Sequence, residues 1–411
     1  MTGATLRRRF VALTALRWLP TGLTVPALIL IGQARGLSLG QIGLITAIYS
    51  TTTLLLELPT GGLSDVVGRR PVLVVAASMS VIAGVVTAFG TSFAVLAAAA
   101  ALRGVARALD SGPLQSWYVD RLHEVAPGAP IRSGLSKAGA AESVALAVGT
   151  LGAGGVLALT DLPSSDAPLI ALSTPFLVSA GFACVQAALV VLWVTEPKQQ
   201  TPLAIRSLVA DVPATIARGA RLATTHATLR RLLIVVAVVG VALVGIELLT
   251  PPHLAHITGS NSAGASTYAV LATLGFVGSA LGAAMAPLAA RLLHSPSRAA
   301  LLGGLGGAIA RAATAASALP ALATAYVAFY VLMGVGSPLL NKLTHDAVTS
   351  RERATMLSVN SMAMQGAGIV AALTLGPLAE VTALALALAV PAVVLAAGTL
   401  ALVRMPTPIK P

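Results

Sequence analysis

Charge is scarce in this sequence: Asp, Glu, Lys and Arg make up 10% of its 411 residues, against 56% hydrophobic. Soluble domains carry roughly 25% charged residues, so this chain is matched to a bilayer and not to water. Cysteine is nearly absent. The single Cys184 lies in an apolar run, excludes an internal disulfide, a multi-cysteine metal site and a dithiol redox pair, and reads as a packing residue. Acidic residues are the rarer charged class, 14 against 26 Lys plus Arg, which gives a formal net charge of +12. That excess could suggest nucleic acid. The sequence has no Lys-rich tail, zinc spacing or aromatic-basic patch, so nucleic acid is not expected as a partner.

Signals for enzyme chemistry are missing too. Gly303-Gly304-Leu305-Gly306-Gly307 has neither the preceding strand nor the following Lys-Ser/Thr of a phosphate loop. His253 and His256 stand one turn apart without a third ligand, so no metal is expected. No nucleophile set or cofactor loop stands out, and the reading is not an enzyme, with no cofactor.

What the chain has is apolar length. About 20 apolar residues cross a bilayer. By that ruler the sequence divides into twelve segments, at 10–31, 41–62, 71–90, 93–118, 136–160, 168–194, 232–254, 264–290, 299–319, 321–340, 354–378 and 382–402. Arg7, Arg8 and Arg9 precede the first run, which is long and lacks a small-residue cleavage site, so it reads as a retained spanning helix. Alternating the loops puts nearly every Lys and Arg on one side, from Arg7–Arg9 through Arg69, Arg70, Arg230 and Arg231 to Arg351, Arg353 and Lys410, and leaves Arg35 on the other. Positive charge is retained in the cytoplasm, so both termini are expected there, in a multi-pass inner-membrane protein.

The longest polar interval, 195–231, separates six segments from six. The expected division is an N-terminal bundle at 1–194, a cytoplasmic linker at 195–231 that is partly helical along the interface, and a C-terminal bundle at 232–411. Gly112-Pro113-Leu114 recurs 225 residues later as Ser337-Pro338-Leu339, and the same shift carries Asp65 onto Ala290. The two halves therefore look like a repeat whose second copy has lost the carboxylate.

The most specific stretch joins the second and third segments: Gly61-Gly62-Leu63-Ser64-Asp65-Val66-Val67-Gly68-Arg69-Arg70-Pro71. It resembles the signature of the major facilitator superfamily, Gly-x-x-x-Asp-(Arg/Lys)-x-Gly-Arg-(Arg/Lys), through Gly61, Asp65, Gly68, Arg69 and Arg70; Val66 replaces the usual basic residue. The resemblance implies an all-α membrane protein whose twelve helices form two pseudo-symmetric six-helix bundles. It also implies a substrate site at midplane between them. Glu57-Leu58-Pro59-Thr60-Gly61 and the glycines Gly149, Gly152, Gly154 and Gly155, without the proline of the antiporter motif, look most like the 12-helix drug and metabolite efflux branch.

Charges inside spans are functional candidates by default. They are Arg17, Glu57, Arg103, Arg107, Asp110 and Glu142 in the first half and Glu247 and Arg311 in the second. Arg103, Arg107 and Asp110 are spaced to share a helix face. Arg103 resembles the superfamily's intramembrane arginine. One reading is a static ion-pair cluster; the other has Asp110 or Glu142 gain and lose a proton as an arginine moves, with the proton gradient as energy source. Gly61, Asp65, Gly68, Arg69, Arg70 and Asp120 form the expected latch, with Arg69 reaching Asp120 and Asp65 facing a helix start capped by Thr349-Ser350-Arg351-Glu352. Trp117, Tyr118 and Trp193 read as an interfacial aromatic belt. The expected function is proton-coupled efflux, by antiport, of small, largely apolar molecules. The alternatives are uptake of a small anionic solute bound by Arg17, Arg103 and Arg107, or a membrane sensor or scaffold that moves nothing. A monomer in lipid is expected, with protons and a small molecule as partners.

Overall fold

The computed structural model describes residues 2–411 apart from Gly62, Asp161, 164–166, 197–220, 222–225, 349–352, Arg404 and 406–411. The side chains of Leu58, Asp65, 353–355 and Leu357 and the surroundings of Gly61 also lie outside the described set. The described residues are helical without strands. The helices are α1 (Gly3–Thr24), α2 (Leu28–Ala34), α3 (Leu39–Gly61), α4 (Leu63–Val67), α5 (Arg69–Phe89), α6 (Phe93–Leu109), α7 (Pro113–Val125), α8 (Ile131–Ala158) and α9 (Thr174–Trp193), followed by α10 (Ala227–Thr258), α11 (Asn261–Leu292), α12 (Pro296–Ala313), α13 (Leu319–Asp346), α14 (Arg353–Val381) and α15 (Leu384–Thr399). Among the described residues ten spans are long and apolar enough to cross a membrane, counting α1 and α2 as one. The fourth segment, divided into α6 and α7, and the 18-residue α12 complete the twelve.

Helices dominate because a bilayer offers backbone groups no water to bond with. Side-chain hydroxyls follow the same rule: Thr14, Thr87 and Thr399 donate to the carbonyls of Phe10, Ala83 and Leu395, four residues back, at 2.7–2.9 Å. Starts and stops are local. Ser92 and Ser295 cap α6 and α12 by accepting from Val95 N and Arg298 N, and Gly259 closes α10 in the left-handed region with φ 81°.

Two compact units emerge. The first comprises Met1–Leu37, Ile48–Val212 and Ser260–Thr273; the second comprises Ser38–Ala47, Pro213–Gly259 and Leu274–Pro411. The start of α3 is thus counted with the second unit and the start of α11 with the first. Most of the interval 195–231 lies outside the described residues.

The first unit packs on Leu6, Phe10, Leu13, Leu73, Trp117 and Tyr118. Trp117 and Tyr118 are therefore core residues and not belt residues: Tyr118 stacks on Phe10 with ring centroids 4.3 Å apart, and Trp117 Nε1 donates to Thr195 O at 3.2 Å. α1 and α8 cross through glycine. A Cβ on Gly149 would lie 2.6 Å from Leu19 O and 2.9 Å from Gly22 Cα, so this glycine serves close helix packing. In the second unit, α10 packs on α14 where a Cβ on Gly240 would collide with Met364 O. Cys184 is exposed on α9, not packed in the core.

The repeated landmark diverges in structure. Gly112 has φ 106°, a conformation that L side chains rarely adopt, and it ends α6 so that Pro113 can open α7. At the equivalent place Ser337 and Pro338 stay inside the unbroken α13.

Candidate functional site

The break at Gly112 positions the ionic site. Asp110 is the C-cap of α6, and its carboxylate Oδ2 accepts from Arg17 Nε of α1. Both side chains are mostly buried, at 17% and 14% exposure. The other oxygen, Asp110 Oδ1, is buried and has no hydrogen-bond partner among the described residues. Arg107, one turn before, completes a cluster: Arg17 and Arg107 both act electrostatically on Asp110 and on Glu142 of α8. Trp18 lies against both cations, 5.3 Å from the guanidinium carbon of Arg17 and 4.8 Å from that of Arg107. The two arginines thus share one aromatic ring, and both acids lie within their electrostatic reach.

Arg103 stands apart from that exchange. Its guanidinium lies 4.9 Å over the ring of Tyr49 from α3, and no carboxylate pairs with it among the described residues. α3 is held against α6 so that this stack persists. Thr60 Oγ1 donates to Ala108 O at 3.0 Å, and a Cβ on Gly104 would lie 2.7 Å from Tyr49 O. Glu57 accepts from Ser111 Oγ at 3.4 Å, beside the α6–α7 break.

In the second unit Arg311 and Glu247 lie on different helices. Arg311 of α12 is fully buried and donates from Nη1 to Thr314 Oγ1 at 2.7 Å. His253 Nε2 bonds to Ala316 O at 3.0 Å nearby. Glu247 is exposed on α10, seven residues along from Gly240 and so on nearly the same helical face.

In the signature turn, α4 occupies Leu63–Val67 and Gly68 takes φ 99°. Arg69 opens α5 and pairs through Nη2 with Asp120 of α7. Arg70 is exposed beside it. Two cations at a helix N-terminus oppose the helix dipole. Glu196 offsets them: its carboxylate accepts from Arg69 N at 2.8 Å and Arg70 N at 3.1 Å, capping α5 from the end of the sixth segment. The side chain of Asp65, with Gly62 and Thr349–Glu352, lies outside the described residues, as do the surroundings of Gly61.

Trp18, Tyr49, Ser111 and Glu196 join these sites without having been singled out by sequence. Aromatics are 4% of the chain, so an aromatic beside an intramembrane arginine, as in Arg17-Trp18, was the available signal. Tyr49 and Glu196 give no local signal, because their partners lie 54 and 127 residues away.

The family model described as Major Facilitator Superfamily matches residues 10–372. No curated protein matches the chain. Among solved structures, the nucleoside transporter NupG aligns with a TM-score of 0.78 at 12% identity, covering 98% of this chain and 100% of that one. A bacterial homolog of the human lysosomal transporter Spinster, inward-facing and occupied, aligns with a TM-score of 0.71 at 17% identity, covering 97% and 94%. A POT family transporter in complex with 5-aminolevulinic acid aligns at 0.69 and 14%, covering 96% and 95%. Such identities speak for the fold alone. The family match over most of the length, the all-helical architecture and the turn between α3 and α5 agree: the chain is an integral multi-pass membrane transporter, not an enzyme, and belongs to the Major Facilitator Superfamily.

Proposed function

We propose that the chain is a proton-coupled secondary transporter in which Arg17, Asp110, Arg107 and Glu142 form the coupling site. One observation carries this reading: Arg17 pairs with Asp110 while Arg17 and Arg107 both act on Asp110 and Glu142, and Asp110 Oδ1 is buried with no hydrogen-bond partner among the described residues. An arginine nearby favours an ionised acid, and burial without one favours the protonated form. A conformational change that shifts Arg17 or Arg107 between the acids therefore releases a proton at one and admits a proton at the other. Rocking of two halves about a midplane site supplies such a change.

Export in exchange for protons is the first reading of direction. Trp18 and Tyr49 offer π faces to a small, largely apolar drug or metabolite, and the signature region resembles the efflux branch. Both termini in the cytoplasm, the inner membrane, bundles at 1–194 and 232–411 and a monomeric state belong to the same proposal. So does the latch at Gly61, Asp65, Gly68, Arg69, Arg70 and Asp120.

A separate observation favours a second reading. Arg103 adds a positive charge that no carboxylate pairs with among the described residues, which suits a small anionic solute taken up with protons. A nucleoside transporter and a complex with 5-aminolevulinic acid among the similar structures fit a small polar solute.

The test is flux under an imposed proton gradient in proteoliposomes. Export predicts that expressing cells accumulate less of an apolar dye and that dissipating the gradient removes the difference. Anion uptake predicts no effect on dyes and proton movement on adding carboxylate solutes. Wild-type coupled flux in an Asp110→Asn, Glu142→Gln double variant would remove these acids from the mechanism. Ligand-induced thermal shift without any flux would point to a sensor or scaffold.

A further inference from the structure

At the end of α3 away from the signature turn, its first turn meets the last turn of α14. Glu380 of α14 accepts from Gly40 N at 2.6 Å, and also from Leu39 N–H and the Ser38 hydroxyl. A carboxylate on the unsatisfied N–H groups of a helix start is favoured by charge-assisted bonding and by the helix dipole. A structural cap is the plain interpretation, but α3 already has one. Ser38 Oγ accepts from Gln41 N at 3.2 Å, and Gln41 Oε1 accepts from Ser38 N at 3.0 Å, a reciprocal capping box made within α3 itself. α3 therefore keeps its helical start whether or not Glu380 is present.

The surfaces beneath are suited to parting. α3 and α14 touch through backbone: a Cβ on Gly43 would collide with Ala372 O, and one on Gly376 would lie 3.0 Å from Gly40 Cα and strike Leu39 O. The nearest atoms to Gly43 and Gly376 across the contact are backbone atoms, and Glu380 is exposed, so water can replace its bonds. We propose that Glu380 is a gate latch: its carboxylate holds the α3–α14 contact shut on the outer face and is withdrawn each time the transport path opens there. The proposal rests on the alternating access of this fold and not on the substrate or the coupling ion.

A buried reporter tests it. Ala47 is 3% exposed and lies on the α3 face of Gly40 and Gly43, seven and four residues along. In a Cys184→Ala background, Ala47→Cys is labelled in intact cells with a membrane-impermeant maleimide. Labelling proceeds through the open state, so its rate follows the open fraction. Glu380→Ala is expected to raise that rate about tenfold or more, the scale of losing hydrogen bonds to a charged group, and the isosteric Glu380→Gln by less. Should Glu380→Ala fail to fold, the Gln variant is read in its place. An unchanged rate in the folded variants, with or without a lower Tm, makes Glu380 a mere cap and overturns the proposal. An increase seen only in inside-out vesicles overturns the assignment to the outer face.

Discussion

Replacing Asp110 by Asn tests the ionic site most directly. The change keeps shape and removes the charge that Arg17 contacts. Stranding one member of a buried pair costs about 3–5 kcal/mol. Two features lower the figure here: both side chains retain some exposure, and Glu142 acts on the same Arg17. We therefore expect Asp110→Asn to destabilise the protein by about 2 kcal/mol and Glu142→Gln by about 1 kcal/mol. Without either acid Arg17 and Arg107 have no counter-charge in the cluster, so the double variant should lose more than the sum. An excess of about 1–2 kcal/mol is expected, within the range for residues in one network. The assay is denaturant unfolding of the purified protein in mixed micelles for the wild type, both single variants and the double variant. Additivity within about 0.3 kcal/mol would refute the sharing of cations on which the coupling argument depends.

Other perturbations separate folding from function. Arg69→Gln should cost under about 1 kcal/mol, because its partner Asp120 is 55% exposed, so a transport rate lowered at unchanged stability marks a conformational role for the pair. Glu196→Ala removes the acceptor for two backbone N–H groups of α5 and should lower unfolding free energy by about 1 kcal/mol. Gly104→Val drives a side chain into Tyr49 O and Thr52, and should destabilise by about 1–3 kcal/mol, read as a lower Tm in the same detergent. Arg103→Gln removes the stack on Tyr49, worth about 0.5–2 kcal/mol, and on the anionic-solute reading raises KM for a carboxylate solute more than it lowers kcat.

The spans were legible because apolar length is a one-dimensional property, and the turn was legible because its spacing is local. Helix breaks were less so. The segment 93–118 reads as one span despite Arg103, Arg107 and Asp110, yet Gly112 divides it, and the decisive fact is a positive φ that composition does not reveal. Apolarity likewise made Trp117 and Tyr118 look interfacial, although the partners that bury them, Thr195 and Phe10, are 78 and 108 residues away. Glu196 and Glu380 escaped notice for a related reason. A carboxylate at a segment end reads as solvated until a distant helix start is brought against it.

α3 connects these observations. Its second half is fixed to α6 by the Thr60 bond and the close approach at Gly104, whereas its first turn meets α14 through groups that water can replace. Tyr49, the ring under Arg103, lies nine residues from Gly40, about 13 Å along one helix. An α-helix transmits displacement along its axis better than it absorbs it. Release at Glu380 would therefore move Tyr49 relative to Arg103 unless α6 followed, and the hydroxyl and glycine contacts between α3 and α6 make α6 follow. α6 carries Arg103, Arg107 and Asp110 together, whereas Arg17 stands on α1 and Glu142 on α8. If the proposed release at Glu380 displaces α3 and α6 together, it would load the Arg17–Asp110 pair rather than the Arg103–Tyr49 stack, and the Asp110→Asn variant should then change the labelling rate at Ala47→Cys; an unchanged rate would separate the acids from that contact.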